Sequence, residues 1–338
     1  MLFKKSTWSV LVLGFLALVL AACGGGTAEP DEGGDSASEG DGGSGETQFV
    51  NILTGGPQGT YYPLGGSFAT IINDNVDGVE ANATSTGASV ENMKSLRDGD
   101  GELAFVQTDI ASYAAEGQLM FEGDQIDSVR AIGTLYPETI QIVTTKESGI
   151  ETVADLEGKV VSVGAPGSGT YANATNILDI HGLSIEDDIQ ARNLSFGDST
   201  SGIQDGTIDA AFITSGTPTG AVESLAATAD VNIVKFDESK IQELIDEYGY
   251  YAEDEIAEGT YGLESAVKTV AVQAMLVANE DLSEDLVYNM TKAIFENTDQ
   301  VQHSKGEMIS AESALDGVGI ELHPGAKKYF DEAGVSAE

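Results

Sequence analysis

The stretch Gly55-Gly-Pro-Gln-Gly-Thr-Tyr-Tyr-Pro-Leu-Gly-Gly-Ser-Phe-Ala-Thr-Ile-Ile-Asn73 decides the fold, because a related stretch follows at Gly164-Ala-Pro-Gly-Ser-Gly-Thr-Tyr-Ala-Asn-Ala-Thr-Asn-Ile-Leu178. Each copy comes after an apolar run typical of a strand, at 49–53 and 159–163, and each opens a helical pattern through Gly-Thr-Tyr. A strand, a glycine turn and a helix start leave backbone N–H groups pointing out of the helix N-terminus, where anionic groups bind. Two such elements predict two domains that hold one ligand between them.

A second pair of segments supports an internal duplication. Residues 101–108 and 206–214 both carry Ala-Phe and a Thr on a short apolar strand that ends in polar residues. A third Gly-Thr-Tyr, at 259–261, shows that the tripeptide alone proves little. The sequence predicts neither a strand before this third copy nor a helix after it.

The N-terminus is predicted to be a lipoprotein signal peptide, residues 1–22. Lys4 and Lys5 precede an apolar run at 9–20 that is too short for a comfortable membrane span. The run ends in Leu-Ala-Ala-Cys, the pattern of a bacterial lipobox, so Cys23 is predicted to carry lipid and to become the mature N-terminus. No other cysteine exists to form a disulfide. Residues 23–47, rich in Gly, Ser, Asp and Glu, are predicted to be a flexible acidic tether.

The charge of the chain is strongly negative, with 15 Lys and Arg against 56 Asp and Glu and a formal net charge of -41. This sign argues against binding to nucleic acid and against electrostatic adhesion to anionic lipid. A surface adapted to high salt or high pH explains the acidity more simply than a cationic partner does. An anionic ligand must then be held by local contacts, because the long-range field repels it unless salt screens the charges.

Strands alternate with helices along most of the chain, which predicts α/β architecture with mostly parallel sheets covered on both faces. The first domain is predicted at 48–138 plus about 255–338, and the second at 139–254. Their boundary falls near Pro137, between strands predicted at 129–135 and 140–145. Ligands of such sheets bind beyond the carboxyl ends of the strands, where both glycine turns lie.

The candidate ligand-binding residues come from these turns and from the neighbouring strand ends. N–H and hydroxyl groups of the turns are predicted to hold carboxylate oxygens, and side chains at strand ends are predicted to add further contacts. Tyr61 and Tyr136 are favoured as cleft residues, whereas Tyr171, like Tyr62, suits a ligand contact and ordinary rim packing equally well. The predicted contacts are Gly59, Thr60, Tyr61, Gln107, Thr108, Tyr136, Ser168, Gly169, Thr170, Tyr171 and Thr214.

Other chemistries find little support in the sequence. Neither turn continues into the Gly-Lys-(Ser/Thr) of a phosphate loop, and neither has dinucleotide-binding spacing. None of the three histidines accompanies a Gly-x-Ser-x-Gly elbow, and Ser168 suits a hydroxyl donor better than a nucleophile. A calcium-like run that starts at Asp98 has Leu103 where the sharp turn needs glycine, so an exposed turn is the simpler reading. We therefore expect no catalytic residue, no metal and no cofactor.

Taken together, several segments resemble the TAXI-type solute-binding proteins of TRAP transporters. The match spans about residues 48–300. Thr86 begins one of the matching segments and is added to the candidate ligand-binding residues. The resemblance implies a type II periplasmic-binding-protein fold, with two α/β domains around a central ligand cleft and joined by crossover strands. The segments are 54–66, 86–92 (Thr-Gly-Ala-Ser-Val-Glu-Asn), 104–109 (Ala-Phe-Val-Gln-Thr-Asp), 135–138 (Leu-Tyr-Pro-Glu), 148–150, 155–159 (Asp-Leu-Glu-Gly-Lys), 163–170 and 206–212.

The resemblance also implies a function: a receptor that delivers a small carboxylate to an ion-gradient-driven membrane permease. Substrates in the family include glutamate-like amino acids and C4–C5 dicarboxylates. The expected partners are the carboxylate and a TRAP permease. The N-terminal lipid is expected to anchor the protein to the outer face of the cell membrane. We expect a monomer that does not bind nucleic acid. A surface sensor or adhesin without a permease is the alternative, since an enzyme on this scaffold lacks its catalytic residues. This chain departs from the family pattern in two places. Gln141 stands where the family often has His, and residues 256–261 read Ile-Ala-Glu-Gly-Thr-Tyr where the family often has Ile-Pro-x-Gly-x-Tyr.

Overall fold

A computed structural model describes residues 47–336, which lie within one compact unit. The signal peptide, Cys23 and all but the last residue of the tether fall outside these described residues. The strands are β1 (Gln48–Leu53), β2 (Val79–Thr84), β3 (Leu103–Gln107), β4 (Val129–Thr145), β5 (Val160–Ser162), β6 (Gln190–Arg192), β7 (Ala210–Ser215), β8 (Val231–Ile233), β9 (Ala252–Ile256) and β10 (Val267–Asn279).

Helices follow or separate most of these strands. Within the described range, no helix is long and apolar enough to span a membrane. The α-helices are α1 (Tyr61–Asn75), α2 (Ser89–Asp98), α3 (Thr108–Glu116), α4 (Gly169–Ile180), α5 (Phe196–Gln204), α6 (Gly220–Ala226), α7 (Glu238–Tyr248), α8 (Glu284–Glu296) and α9 (Pro324–Ala333). Short 3-10 helices lie at Leu119–Phe121, Lys146–Ser148, Val153–Leu156, Thr260–Gly262, Thr298–Gln300 and Ser304–Met308.

The strands form one mixed, ten-stranded sheet in the order β2-β1-β3-β10-β4-β7-β5-β6, with β8 paired to β4 and β9 paired to β10. Pairing is parallel among β1, β2 and β3 and among β5, β6 and β7. Strands β4 and β10 are antiparallel to each other and to their outer neighbours. The predicted α/β fold is confirmed: each outer part of the sheet is parallel, and the two long antiparallel strands β4 and β10 join these parts.

Strand β4 runs unbroken through Pro137, where the sequence predicted a gap between two strands. Its first part pairs with β10, and its second part, from Thr139, pairs with β7 and β8. Strand β10 likewise pairs with β3 at one end and with β9 at the other. Both strands therefore serve both halves of the sheet, and the division into domains at 138/139 and near 255 stays a prediction.

Both faces of the sheet are covered by helices, as the period of two in the strands requires. Strand β3 sends Phe105 into a buried cluster with α1, α8 and α9, and Val106 into another with α2 and α3. Strand β7 sends Phe212 towards α4 and α7, and Ile213 towards α6. This packing fixes the helix N-termini that follow β1 and β5 at one edge of the sheet.

The third Gly-Thr-Tyr differs from its prediction. Strand β9 precedes it, and its Thr260 and Tyr261 lie in a 3-10 helix at Thr260–Gly262. Strand β9, with the sequence Ala-Glu-Asp-Glu-Ile, was not predicted, because only Ile256 is buried and the outward side chains are acidic. The tripeptide nonetheless starts no α-helix.

Candidate functional site

A cavity of about 500 Å³ lies where the two glycine turns meet. Its volume suits a small molecule, since ligand pockets span roughly 300–1,000 Å³. The lining residues are Gly55, Gly56, Pro57, Gln58, Gly59, Thr60, Tyr61, Thr86, Gly87, Ala88, Ser89, Gln107, Glu138, Ala165, Ser168, Gly169, Thr170, Ser195, Phe196, Gly197, Asp198, Ser201, Thr214 and Ser215.

The turn between β5 and α4 depends on glycine. Gly164 has a φ of +94°, which L side chains rarely adopt, and a Cβ there would lie 2.7 Å from Ser168 Oγ. The turn can therefore fold tightly enough to aim the start of α4 into the cavity.

The N-terminus of α4 is open to an anionic group. No side chain caps it, and its first turn holds no acidic residue. Ser168, Gly169 and Thr170 at this N-terminus all line the cavity. Uncapped N–H groups and the positive end of the helix dipole favour a negative charge at such a place.

The N-terminus of α1, unlike that of α4, is hydrogen-bonded to a neighbouring strand end. Thr60 contacts Ser215 at the end of β7, with 2.9 Å between the two hydroxyl oxygens and 3.2 Å from the Thr60 nitrogen to Ser215 Oγ. The Ala221 nitrogen donates to the Gln58 carbonyl at 3.2 Å, and the Val90 nitrogen donates to the Gly167 carbonyl at 3.0 Å. These bonds close the cavity between segments from the two halves of the sheet.

Glu138 is a carboxyl group buried in the wall of this cavity, with 2% of its surface exposed. The Tyr61 hydroxyl donates a 2.7 Å hydrogen bond to Glu138 Oε2. Burial raises the pKa of Glu138 to about 8, the hydrogen bond from Tyr61 lowers it, the charge of Asp109 raises it, and polar contacts with Gln107 and Tyr136 lower it. Since no Lys, Arg or His is among the described lining residues, no protein cation balances a charge on Glu138.

Several buried polar atoms of the lining have no hydrogen-bond partner among residues 47–336. They are Gln107 Oε1, Ser168 Oγ and Thr214 Oγ1. Buried polar groups are almost always satisfied in native proteins, so an orphaned set around one cavity indicates that a polar ligand completes it.

A second buried carboxyl, Asp109, connects α3 to α4. Asn173 of α4 donates to Asp109 Oδ2 at 3.0 Å, and burial raises the pKa of Asp109 to about 7. Asn173 also donates to the Tyr251 hydroxyl at 3.2 Å. Asp109 lies outside the cavity lining, so this network positions α4 without facing the ligand.

Most of the residues predicted from sequence come together in the cavity wall. The exceptions are Thr108, which is buried at the start of α3, Tyr136, which is buried behind the wall, and Tyr171, which is 40% exposed. The predicted residues that line the cavity are Gly59, Thr60, Tyr61, Thr86, Gln107, Ser168, Gly169, Thr170 and Thr214.

Sequence reasoning missed other residues of the wall. Ser215 occupies the strand end where Thr214 was predicted alone, and Phe196 comes from a helix that was not predicted. Glu138 stood in the Leu-Tyr-Pro-Glu segment that carried the resemblance, which is the signal that points to it.

Comparison with known proteins agrees with this architecture. A sequence profile described as the NMT1-like family matches residues 52–334. The chain belongs to the NMT1-like family. The matched region contains the whole cavity lining.

Solved structures show that this NMT1-like chain has the fold of periplasmic solute-binding proteins. The alkanesulfonate-binding protein SsuA from Xanthomonas axonopodis pv. citri, bound to MOPS, is 14% identical with a TM-score of 0.50, and the match covers 85% of each chain. PhnD1 from Prochlorococcus marinus (MIT 9301), in complex with methylphosphonate, is 13% identical with a TM-score of 0.52, covering 86% of this chain and 98% of that one. A protein from Bordetella bronchiseptica RB50 is 18% identical with a TM-score of 0.53, covering 83% and 82%.

Proposed function

We propose that this protein is an extracytoplasmic, lipid-anchored receptor that binds a small carboxylate in the cavity and delivers it to a TRAP membrane permease. The observation that carries the proposal is the uncapped N-terminus of α4, which opens into a cavity enclosed from both halves of the sheet. The proposed contacts to the carboxylate are the N–H groups of Gly169 and Thr170 and the hydroxyls of Ser168 and Thr170.

The local character of this site fits the charge of the chain. With a formal net charge of -41, the protein repels anions at long range, and the lining offers no basic side chain among the described residues. Backbone N–H groups act within a few ångströms, where screening by salt does little. SsuA with MOPS and PhnD1 with methylphosphonate show that the fold accommodates small acids in other proteins.

The choice of a TRAP permease rests on the segments that resemble TAXI-type receptors. A receptor of this fold could serve a sensor instead of a permease, so a transport assay separates the two. The permease and the full-length receptor would be placed in the same proteoliposomes, and uptake of a radiolabelled carboxylate would be followed. We expect uptake that needs an ion gradient and stops when the receptor is omitted, whereas binding without receptor-dependent uptake would favour the sensor.

The binding site itself is tested with Thr170→Ala. Thr170 lines the cavity, and loss of its hydroxyl removes a proposed contact to the ligand, which weakens binding by about tenfold if the contacted oxygen is charged. Thr175→Ala, on the exposed side of the same helix, is the matched control, because Thr175 only bonds the Tyr171 carbonyl. Unchanged affinity in a folded Thr170→Ala protein would reject this role.

A further inference from the structure

Glu138 is a buried carboxyl group in a cavity wall that offers it no cation. Its surface is 2% exposed, and no Lys, Arg or His stands among the described lining residues. The side chain of Lys305 packs against Gly216, but it lies outside the cavity lining and its charge interacts with Asp254. Because an ionised carboxylate without a cation is costly to bury, this position favours a neutral Glu138.

The titratable and polar groups around Glu138 come from five elements, and none of them is cationic. They are Tyr61 of α1, Gln107 of β3, Tyr136 of β4 and, as further acids, Asp109 of α3 and Asp198 of α5. The Tyr61 hydroxyl donates a 2.7 Å hydrogen bond to Glu138 Oε2, which favours the ionised form. Burial outweighs this bond and raises the pKa of Glu138 to about 8.

Gln107 lies between Glu138 and the proposed anion site. Its side chain donates towards the carboxyl of Glu138, while its Oε1 lies against the first residue of α4, where a Cβ added at Gly169 would collide with it. One amide side chain therefore separates Glu138 from the N–H groups of Gly169 and Thr170. A carboxylate bound to those groups brings a second negative charge close to Glu138, and a neighbouring like charge favours the neutral form of a carboxyl.

We propose that Glu138 takes up a proton from solvent when the ligand binds, so that the cavity holds the ligand's carboxylate beside a neutral carboxylic acid. This inference rests on the proposed function and adds a proton as a second bound species. No bond of the ligand breaks. Because Glu138 lines the cavity, its neutral carboxyl can donate a hydrogen bond to the ligand, which an ionised carboxyl cannot do.

The coupling sets how the affinity depends on pH. In the free protein, Glu138 has a pKa of about 8, so its carboxyl is mostly neutral at pH 7 and mostly ionised at pH 9. A ligand anion raises this pKa further, so binding at pH 9 also returns a proton to Glu138. Uptake of one proton weakens binding by up to about tenfold for each pH unit above the pKa of the free site.

Calorimetry of the full-length protein tests the coupling. Protein freed of retained ligand by extensive dialysis would be titrated with succinate, with glutarate and with L-glutamate at pH 7 and at pH 9. Each titration would be done in two buffers of different ionisation enthalpy, which counts the protons. For a probe that binds, we expect almost no uptake at pH 7, close to one proton per ligand at pH 9, and about tenfold weaker binding at pH 9.

Variants assign the proton to Glu138. Glu138→Gln stays neutral at every pH, can still accept from Tyr61, and should lose both the uptake at pH 9 and most of the change in affinity. The same comparison removes any contribution from groups of the probe itself. Asp109→Asn is the matched control, because Asp109 is also buried, with a pKa raised to about 7, but lies outside the cavity lining. It should keep the uptake at pH 9.

Infrared difference spectroscopy gives a readout that does not depend on Glu138→Gln, should that variant fail to fold. The band of a protonated carboxyl group should grow when the probe is added at pH 9, in wild type and in Asp109→Asn alike. Loss of this band in Asp109→Asn would assign the proton to Asp109 and overturn the inference.

The outcomes separate this inference from the proposed function. A probe that binds at pH 9 without proton uptake, or an uptake that survives in Glu138→Gln, would overturn the inference and leave a carboxylate receptor standing. Binding of none of the probes to folded protein would overturn the carboxylate function together with the inference.

Discussion

The Tyr61 hydroxyl donates a 2.7 Å hydrogen bond to Oε2 of Glu138, within the wall of the ligand cavity. The pair joins the helix that follows the first glycine turn to the strand that both halves of the sheet share. Glu138 thus connects the start of α1 to the framework of the fold, and its ionisation affects the stability of the protein.

The stability of the free protein should fall as the pH rises from 6 to 9. Burial raises the pKa of Glu138 to about 8 and that of Asp109 to about 7, whereas both groups ionise near pH 4 in an unfolded chain. Their contribution is complete below about pH 4 and is lost as the pH rises through 7 and 8, since the folded state then holds protons that the unfolded state has released. Urea denaturation at several pH values measures this decrease.

Glu138→Gln should flatten that decrease, because the amide stays neutral throughout. We expect the difference between pH 6 and pH 9 to shrink by on the order of 1–2 kcal/mol relative to wild type. An identical pH dependence in both proteins would show that Glu138 is already ionised at pH 6.

Gly169→Ala should weaken ligand binding by about tenfold or more, because the added Cβ would lie within 2.6 Å of Gln107 Cδ and force that side chain off the α4 N-terminus. Gly66→Ala is the control, since nothing lies within 4 Å of a Cβ at that helical position. Fluorescence titration of both variants measures the effect. Equal affinities in the two proteins would mean that Gln107 can move without cost.

Tyr261→Phe should destabilise the fold by about 1–3 kcal/mol, because it leaves buried groups without partners. The Tyr261 hydroxyl donates to Gln141 Oε1 at 2.7 Å and accepts from the Thr219 nitrogen at 2.6 Å. The two departures from the TAXI pattern thus contact each other directly. Thermal denaturation measures the change, with Tyr62→Phe at the exposed helix surface as control; a loss no larger than that of the control would contradict a structural role for this contact.

Cys23→Ala should release the protein from the membrane fraction of cells that produce it. The prediction follows from the lipobox in the sequence and concerns residues outside the described range. Cell fractionation, with mass spectrometry of the N-terminal peptide, tests it. Retention of the variant in membranes would require a different anchor.

The sequence was most informative where local signals agree. Glycine turns after apolar strands predicted α1 and α4 to within a residue or two, because turn chemistry and helical periodicity pointed the same way. The α/β fold followed from the alternation of such elements.

The sequence was least informative where tertiary packing decides. Helix α5 reads Phe-Gly-Asp-Ser-Thr-Ser-Gly-Ile-Gln, a composition typical of a loop, yet it is capped by Ser195 and buries Ile203 against β7 and α6. Because helix α5 was not predicted, Phe196 was absent from the predicted residues of the cavity wall. Burial caused the other gaps. Only the Leu-Tyr-Pro-Glu segment of the resemblance pointed to Glu138, and nothing in the sequence shows that Ser215 lines the cavity while Thr108 is buried outside its lining.

The most direct test of the account is native mass spectrometry of the ligand that the full-length protein retains on purification, since segments from both halves of the sheet line the cavity and would slow the escape of a bound molecule. The account predicts a small molecule that carries a carboxylate and is lost from Gly169→Ala but kept by Gly66→Ala. A retained ligand without any acidic group, such as a neutral sugar, would contradict it.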